Sequence, residues 1–78
     1  MERELTAQSL ISVVAPVYNE AGNIAFFVHE TREALQALAL PCRFEMVLVN
    51  DGSLDGSGEV LDGLACEYPG EIRVVHLS

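Results

Sequence analysis

Two short polar stretches hold most of the residues whose types and spacing could do chemistry. The first is Val17-Tyr18-Asn19-Glu20-Ala21-Gly22-Asn23; the second runs from Asn50-Asp51-Gly52-Ser53 to Asp55 and Gly56. Together they offer the carboxylates of Glu20, Asp51 and Asp55, the amide of Asn50, and backbone N–H groups near two expected helix starts. Carboxylates accept hydrogen bonds from hydroxyls and ring N–H groups, so a ribose and the edge of a nucleobase are natural partners. Tyr18 offers a ring that could lie against a base. Helix N-termini favour anions, but carboxylates in the same pocket repel a bare diphosphate. A divalent cation would resolve that conflict. No second acidic cluster within the 78 residues is arranged to hold one.

The elements that must position these loops follow from hydrophobic patterning. Phe44 to Val49 is mostly apolar and ends at Asn50-Asp51-Gly52, which reads as a buried strand halted by a turn. Leu10 to Ala15 reads as an earlier strand, stopped by Pro16, with apolar residues on both faces as in a covered parallel sheet. A helix is expected from about Asn23 to Ala39, where Ile24, Phe27, Val28, Leu35 and Leu38 form one stripe and Pro41 marks the end. A second is expected from about Asp55 to Glu67, with Val60, Leu61, Leu64, Ala65 and Tyr68 on one face. Ile72 to Leu77 reads as a third strand. The order β-α-β-α-β predicts an α/β fold, half of a doubly wound, Rossmann-like parallel sheet. Both polar loops then leave the carboxyl end of that sheet, where ligands bind in such folds.

Residues 1–9 read as a flexible lead-in and residues 10–78 as a single, incomplete domain. A sheet with the first strand at its edge leaves an apolar strand unpaired, which complete proteins cover. The expectation is a fragment, able to self-associate through that exposed first strand.

Bulk properties exclude several classes. The chain carries a net charge of −8, no lysine, and four scattered arginines. Nucleic-acid binding and polybasic contact with lipid both need clustered positive charge, so neither fits. No run approaches the roughly 18 apolar residues of a membrane span. The polar start lacks a signal peptide's apolar core, so this segment is expected in the cytosol. Cys42 and Cys66 lack ligand spacing and read as small buried hydrophobes.

ISVVAPVYNEAGNI followed by FEMVLVNDGSLDGS resembles the opening of an inverting family 2 glycosyltransferase of the GT-A type. The tail IRVVHLS is similar to the subgroup that loads sugars onto polyprenyl phosphates, the dolichyl-phosphate mannosyltransferase-like enzymes. The resemblance covers residues 10 to 78, and its specificity lies in two loops about thirty residues apart in the right order. It implies that Pro16, Tyr18 and Glu20 line the nucleotide pocket, with the glutamate at the ribose and the proline and tyrosine near the base. It implies that Asp51 hydrogen-bonds the base and that Gly52 and Ser53 shape the turn. It also implies a nucleotide-diphosphate sugar donor, a lipid-phosphate acceptor, and attachment of the full-length protein to the cytoplasmic membrane on its inner side. The Mg²⁺ or Mn²⁺ ligands, the acceptor site and the catalytic base region would all lie beyond residue 78. The chain has Asn50-Asp51 where many members have two aspartates.

Each residue also has a plainer reading. Asp51 could be only a turn former, Glu20 a solvated first-turn carboxylate, and Asn19, Asn23, Asp55 and Ser57 helix caps. Glu30 and Glu33 read as a solvated helix face. His76 reads as a satisfied core or edge histidine, without a carboxylate or serine arranged for a triad. Two other classes compete with this reading, the second of them, a non-catalytic receiver-like or other nucleotide-binding α/β module, being the alternative. A dinucleotide-binding domain requires G-x-G-x-x-G where this chain has A-P-V-Y-N-E-A-G. A receiver-like signalling module would use Asp51 as phosphoacceptor, with an acidic cluster after the first strand and a lysine further on.

Overall fold

The computed structural model describes residues 5–77. Three parallel strands, β1 (Leu10–Val17), β2 (Arg43–Asp51) and β3 (Ile72–Leu77), lie in the order β1-β2-β3. Helices α1 (Ile24–Ala37) and α2 (Ser57–Glu67) make the two crossovers. This is the expected half of a doubly wound sheet, with β2 in the centre.

Alternation along the strands sorts side chains onto two unlike faces. Val13, Met46 and Ile72 align across the sheet, as do Ala15, Leu48 and Val74. These residues pack with Ile24 and Val28 of α1 and with Leu61 and Leu64 of α2 in one core. Met46, Leu48 and Leu61 have no exposed surface, and burying each such side chain stabilises the fold by about 1.5–3 kcal/mol. The opposite face carries Val14, Val47, Val49, Val75 and Leu77, and no described helix covers it; Val14 is 64% exposed. Apolar residues on both faces of a strand therefore do not mean that both are covered within these residues. Across the open face, the Ser12 hydroxyl donates to buried Glu45 at 2.8 Å, and Arg73 lies 3.6 Å from the other Glu45 oxygen.

Pro16 does not end β1, which continues to Val17. An edge strand tolerates a residue without an N–H, and β1 has only β2 as neighbour among the described residues. Helix α1 buries a narrower stripe than its periodicity predicts: Ile24 and Val28 are buried, while Phe27 and Leu38 are exposed. Arg32 extends that contact surface instead. Its guanidinium donates to Glu71 at 2.7 Å and stacks 4.1 Å from the centre of the Tyr68 ring, tying α1 to the α2–β3 connection. The Glu71 hydrogen bond raises the Arg32 pKa above its ordinary value. The helix ends before Pro41, with Ala39 in the left-handed region at φ +49°.

Of the lead-in, Met1 to Glu4 lie outside the described residues. Thr6 to Ser9 form a turn closed by the Ser9 N–H on the Thr6 carbonyl at 2.9 Å. The Arg43 N–H then donates to the Ser9 carbonyl at 3.2 Å, joining the turn to the start of β2.

Candidate functional site: two clasped loops at the carboxyl edge

Register places Val17 beside Asn50, so the loops after β1 and β2 leave the same end of adjacent strands. Four hydrogen bonds hold them together. The backbone N–H groups of three successive residues, Asn19, Glu20 and Ala21, donate to Ser53 Oγ (3.0 Å), Ser57 Oγ (3.0 Å) and Asp55 Oδ2 (3.2 Å). In return the Leu54 N–H donates to Asn19 Oδ1 at 2.8 Å. Asn19 is at φ +50°, a region that asparagine tolerates better than most residues.

The side chains expected to cap helices mostly serve this clasp. Asn23 occupies the N-cap position of α1 but makes no side-chain cap bond. The N-cap of α2 is Gly56, and Asp55 accepts from the Ser57 N–H at 3.1 Å and from the Ser57 hydroxyl. That hydroxyl bond is the main reason the Asp55 carboxyl sits below its ordinary value of 3.8. Desolvation opposes it, and the Ala21 and Ser57 N–H groups assist.

The clasp changes what the loops can offer an anion. The N–H groups of Asn19, Glu20, Ala21, Ser53, Leu54 and Ser57 are all donated within the protein. Those of Asn23 and Ile24 go to the Glu20 carbonyl. These amides are not available to a phosphate. The Glu20 and Asp51 carboxylates of the two loops are exposed.

Pro16 and Glu20 line a cleft of about 300 Å³ with Ala15, Val17, Asn23, Ile24 and Phe27, between β1 and α1. Tyr18, 57% exposed, and Asp51 stand outside that lining, at the same edge of the sheet. Gly52, at φ +72°, makes the turn after Asp51 in a conformation that side chains disfavour. Ser53 points its hydroxyl into the clasp. The structure therefore groups Tyr18 and Glu20 with Asp51, Gly52 and Ser53 on two cross-linked loops.

Sequence reasoning missed the partners of Asn50 and His76. Asn50 is buried, accepts from the Ser53 N–H at 3.1 Å, and lies 3.0 Å from His76 Nδ1. His76 does have a carboxylate beside it: Asp62 Oδ1 is 2.8 Å from its Nε2. The parallel pairing of β2 with β3 sets Asn50 beside His76, but the approach of Asp62 from α2 leaves no local mark in the sequence.

The carboxylates of these loops are not gathered into a three-ligand cluster. Among the described residues, the one group of three ligand atoms within 4.8 Å of one another is His29, Glu30 and Glu33, exposed on α1. The neighbouring Glu20, Asp51 and Asp55 form no such group. Among the described residues, no helix is long and apolar enough to cross a membrane.

The family model described as glycosyl transferase family 2 matches residues 12–78. Curated relatives carry the name undecaprenyl-phosphate 4-deoxy-4-formamido-L-arabinose transferase. That of Yersinia enterocolitica is 38% identical over 87% of this chain and 20% of its own length. That of Serratia proteamaculans is 42% identical over 86% of this chain and 20% of its own. That of Pseudomonas aeruginosa LESB58 is 46% identical over 72% of this chain and 16% of its own. The chain thus spans at most a fifth of these relatives' length. No solved structure matches.

Proposed function

The chain belongs to glycosyl transferase family 2, and from that premise we propose that it forms the donor-nucleotide part of an inverting glycosyltransferase. The donor is a nucleoside-diphosphate sugar; the acceptor is a polyprenyl phosphate, in keeping with the relatives' names. In that reaction an acceptor phosphate oxygen bonds the anomeric carbon as the bond to the nucleoside diphosphate breaks.

The observation that carries the reading is the clasp. It holds Glu20 and Tyr18 in fixed relation to Asp51 at the carboxyl edge of the sheet. Glu20 accepts from the ribose hydroxyls, Asp51 accepts from a base N–H, and Tyr18 and Pro16 lie against the base. Gly52 and Ser53 keep the Asp51 turn in place. The spent amides and the negative charge favour the nucleoside and leave the diphosphate to groups outside residues 1–78. Mg²⁺ or Mn²⁺ supplies charge neutralisation to that diphosphate when bound, at ligands that also lie outside these residues. The complete protein works at the inner side of the cytoplasmic membrane, where its lipid acceptor is.

Titration calorimetry with UDP and GDP tests the assignment. One nucleotide should bind, and Glu20→Gln and Asp51→Asn should each weaken it by about tenfold or more, since a hydrogen bond to a charged group contributes about 1.5–3 kcal/mol. Preference for NAD, or indifference to both substitutions, refutes it.

A further inference from the structure

Beneath the Asp51 turn, polar groups on three elements form one chain of hydrogen bonds whose donors and acceptors can be assigned link by link. The Ser53 N–H donates to Asn50 Oδ1 at 3.1 Å, which turns the other end of the amide, Nδ2, toward β3. Nδ2 lies 3.0 Å from His76 Nδ1. An amide nitrogen only donates, so Nδ1 accepts and the neutral ring carries its proton on Nε2. Nε2 is 2.8 Å from Asp62 Oδ1, an acceptor. Every link is therefore satisfied with His76 in a single tautomer.

Helix α2 closes over this chain because residue 58 has no side chain. A Cβ at Gly58 would sit 3.2 Å from Asn50 Nδ2 and 3.6 Å from His76 Cε1. The first of these is tighter than most real Cβ contacts, so the Asn50 amide would have to give. Asn50 is 7% exposed and directly precedes Asp51 in the chain. Its orientation sets the position of the Ser53 N–H, and the Ser53 hydroxyl in turn accepts from the Asn19 N–H.

We propose that His76 and Asp62 are positioning residues for Asp51. They fix the Asn50 amide, Asn50 fixes Ser53, and Ser53 holds the turn that presents the Asp51 carboxylate to the nucleoside while binding the Tyr18–Glu20 loop to it. The proposal rests on the reading of Asp51 as a nucleoside contact and names residues on α2 and β3 that touch no substrate. A histidine serving stability alone would make binding and stability fall together. A positioning histidine lets them part, because Gly58→Ala adds a better helix former to α2 while pushing the Asn50 amide.

The test is ¹⁵N NMR of the 78-residue chain, with UDP and GDP titrations, on the unsubstituted protein and on Asp62→Ala, Asp62→Asn and Gly58→Ala. The His76 ring should show the Nε2–H tautomer. Asp62→Ala and Gly58→Ala should shift the Ser53 and Asp51 amide signals and weaken nucleotide binding about fivefold, the size of one lost hydrogen bond. Gly58→Ala should do so without lowering the thermal midpoint, and Asp62→Asn, which keeps an acceptor at Oδ1, should restore binding. An Nδ1–H tautomer overturns the proposal, as do unmoved Ser53 and Asp51 amides in Asp62→Ala. If the unsubstituted chain binds neither nucleotide while the tautomer and amide shifts come out as stated, the relay stands and the nucleotide reading fails instead.

Discussion

The backbone N–H of Glu20 lies 3.0 Å from the hydroxyl of Ser57, a side chain with no exposed surface. Through that bond the loop after β1 is held by the first turn of α2, which follows β2 in the chain. Ser57→Ala removes the acceptor and leaves the Glu20 N–H without its partner. Unfolding in urea should show a loss of about 1–3 kcal/mol, with the Glu20 amide exchanging faster in deuterium oxide. An unchanged midpoint would mean that the clasp contributes nothing.

Asp55 gives the clasp a pH dependence of defined sign. Its carboxyl is held below 3.8 chiefly by the Ser57 hydroxyl, a bond the unfolded chain lacks. Between the ordinary value and the lowered one, the unfolded state binds more protons than the folded state. The Asp55 contribution to stability is therefore complete above pH 3.8 and is lost as pH falls through the lowered value. Asp55→Asn should flatten the acid limb of the stability curve measured by denaturation between pH 5 and pH 2, a range on the order of the usual carboxylate titrations. A parallel curve would remove Asp55 from the account.

Ala39 closes α1 with φ +49°, where a Cβ crowds the backbone and glycine does not. Ala39→Gly should raise stability by about 1 kcal/mol, seen as a higher urea midpoint. A lower midpoint would place the end of α1 elsewhere.

Element order, parallel pairing and the common edge of the two loops were legible in the sequence because each rests on a local signal. Apolar runs end at Pro and Asn-Asp-Gly, helical stripes alternate with them, and crossover length fixes the strand direction. The division of labour within the loops was not legible. Asn19, Asp55 and Ser57 look like caps, since capping and cross-loop bonding use the same short oxygen-bearing side chains. Only the spatial approach of Asn19, Glu20 and Ala21 shows which use prevails. Glu45 hides in an apolar run because its partners, Ser12 and Arg73, come from the flanking strands. Phe27 and Leu38 satisfy the helical period yet stay exposed, because periodicity gives a direction and not the width of the contact.

The open face of the sheet predicts self-association of the chain. Leu10, Val14, Val75 and Leu77 are exposed there, beside an edge of β1 that has no partner strand among the described residues. Sedimentation velocity should show concentration-dependent oligomers, and Val14→Lys with Val75→Lys should shift the protein toward monomer. A chain that is monomeric at every concentration, with or without these substitutions, would contradict this.

The central claim is that these loops recognise the nucleoside and leave the diphosphate to other groups. Amide shift mapping of the 78-residue chain with UDP, GDP and the bare nucleosides uridine and guanosine measures it directly. Shifts at Tyr18, Glu20 and Asp51 should appear with one nucleotide and be reproduced by its nucleoside. Shifts that vanish when the diphosphate is removed, or that avoid all three residues, would contradict it.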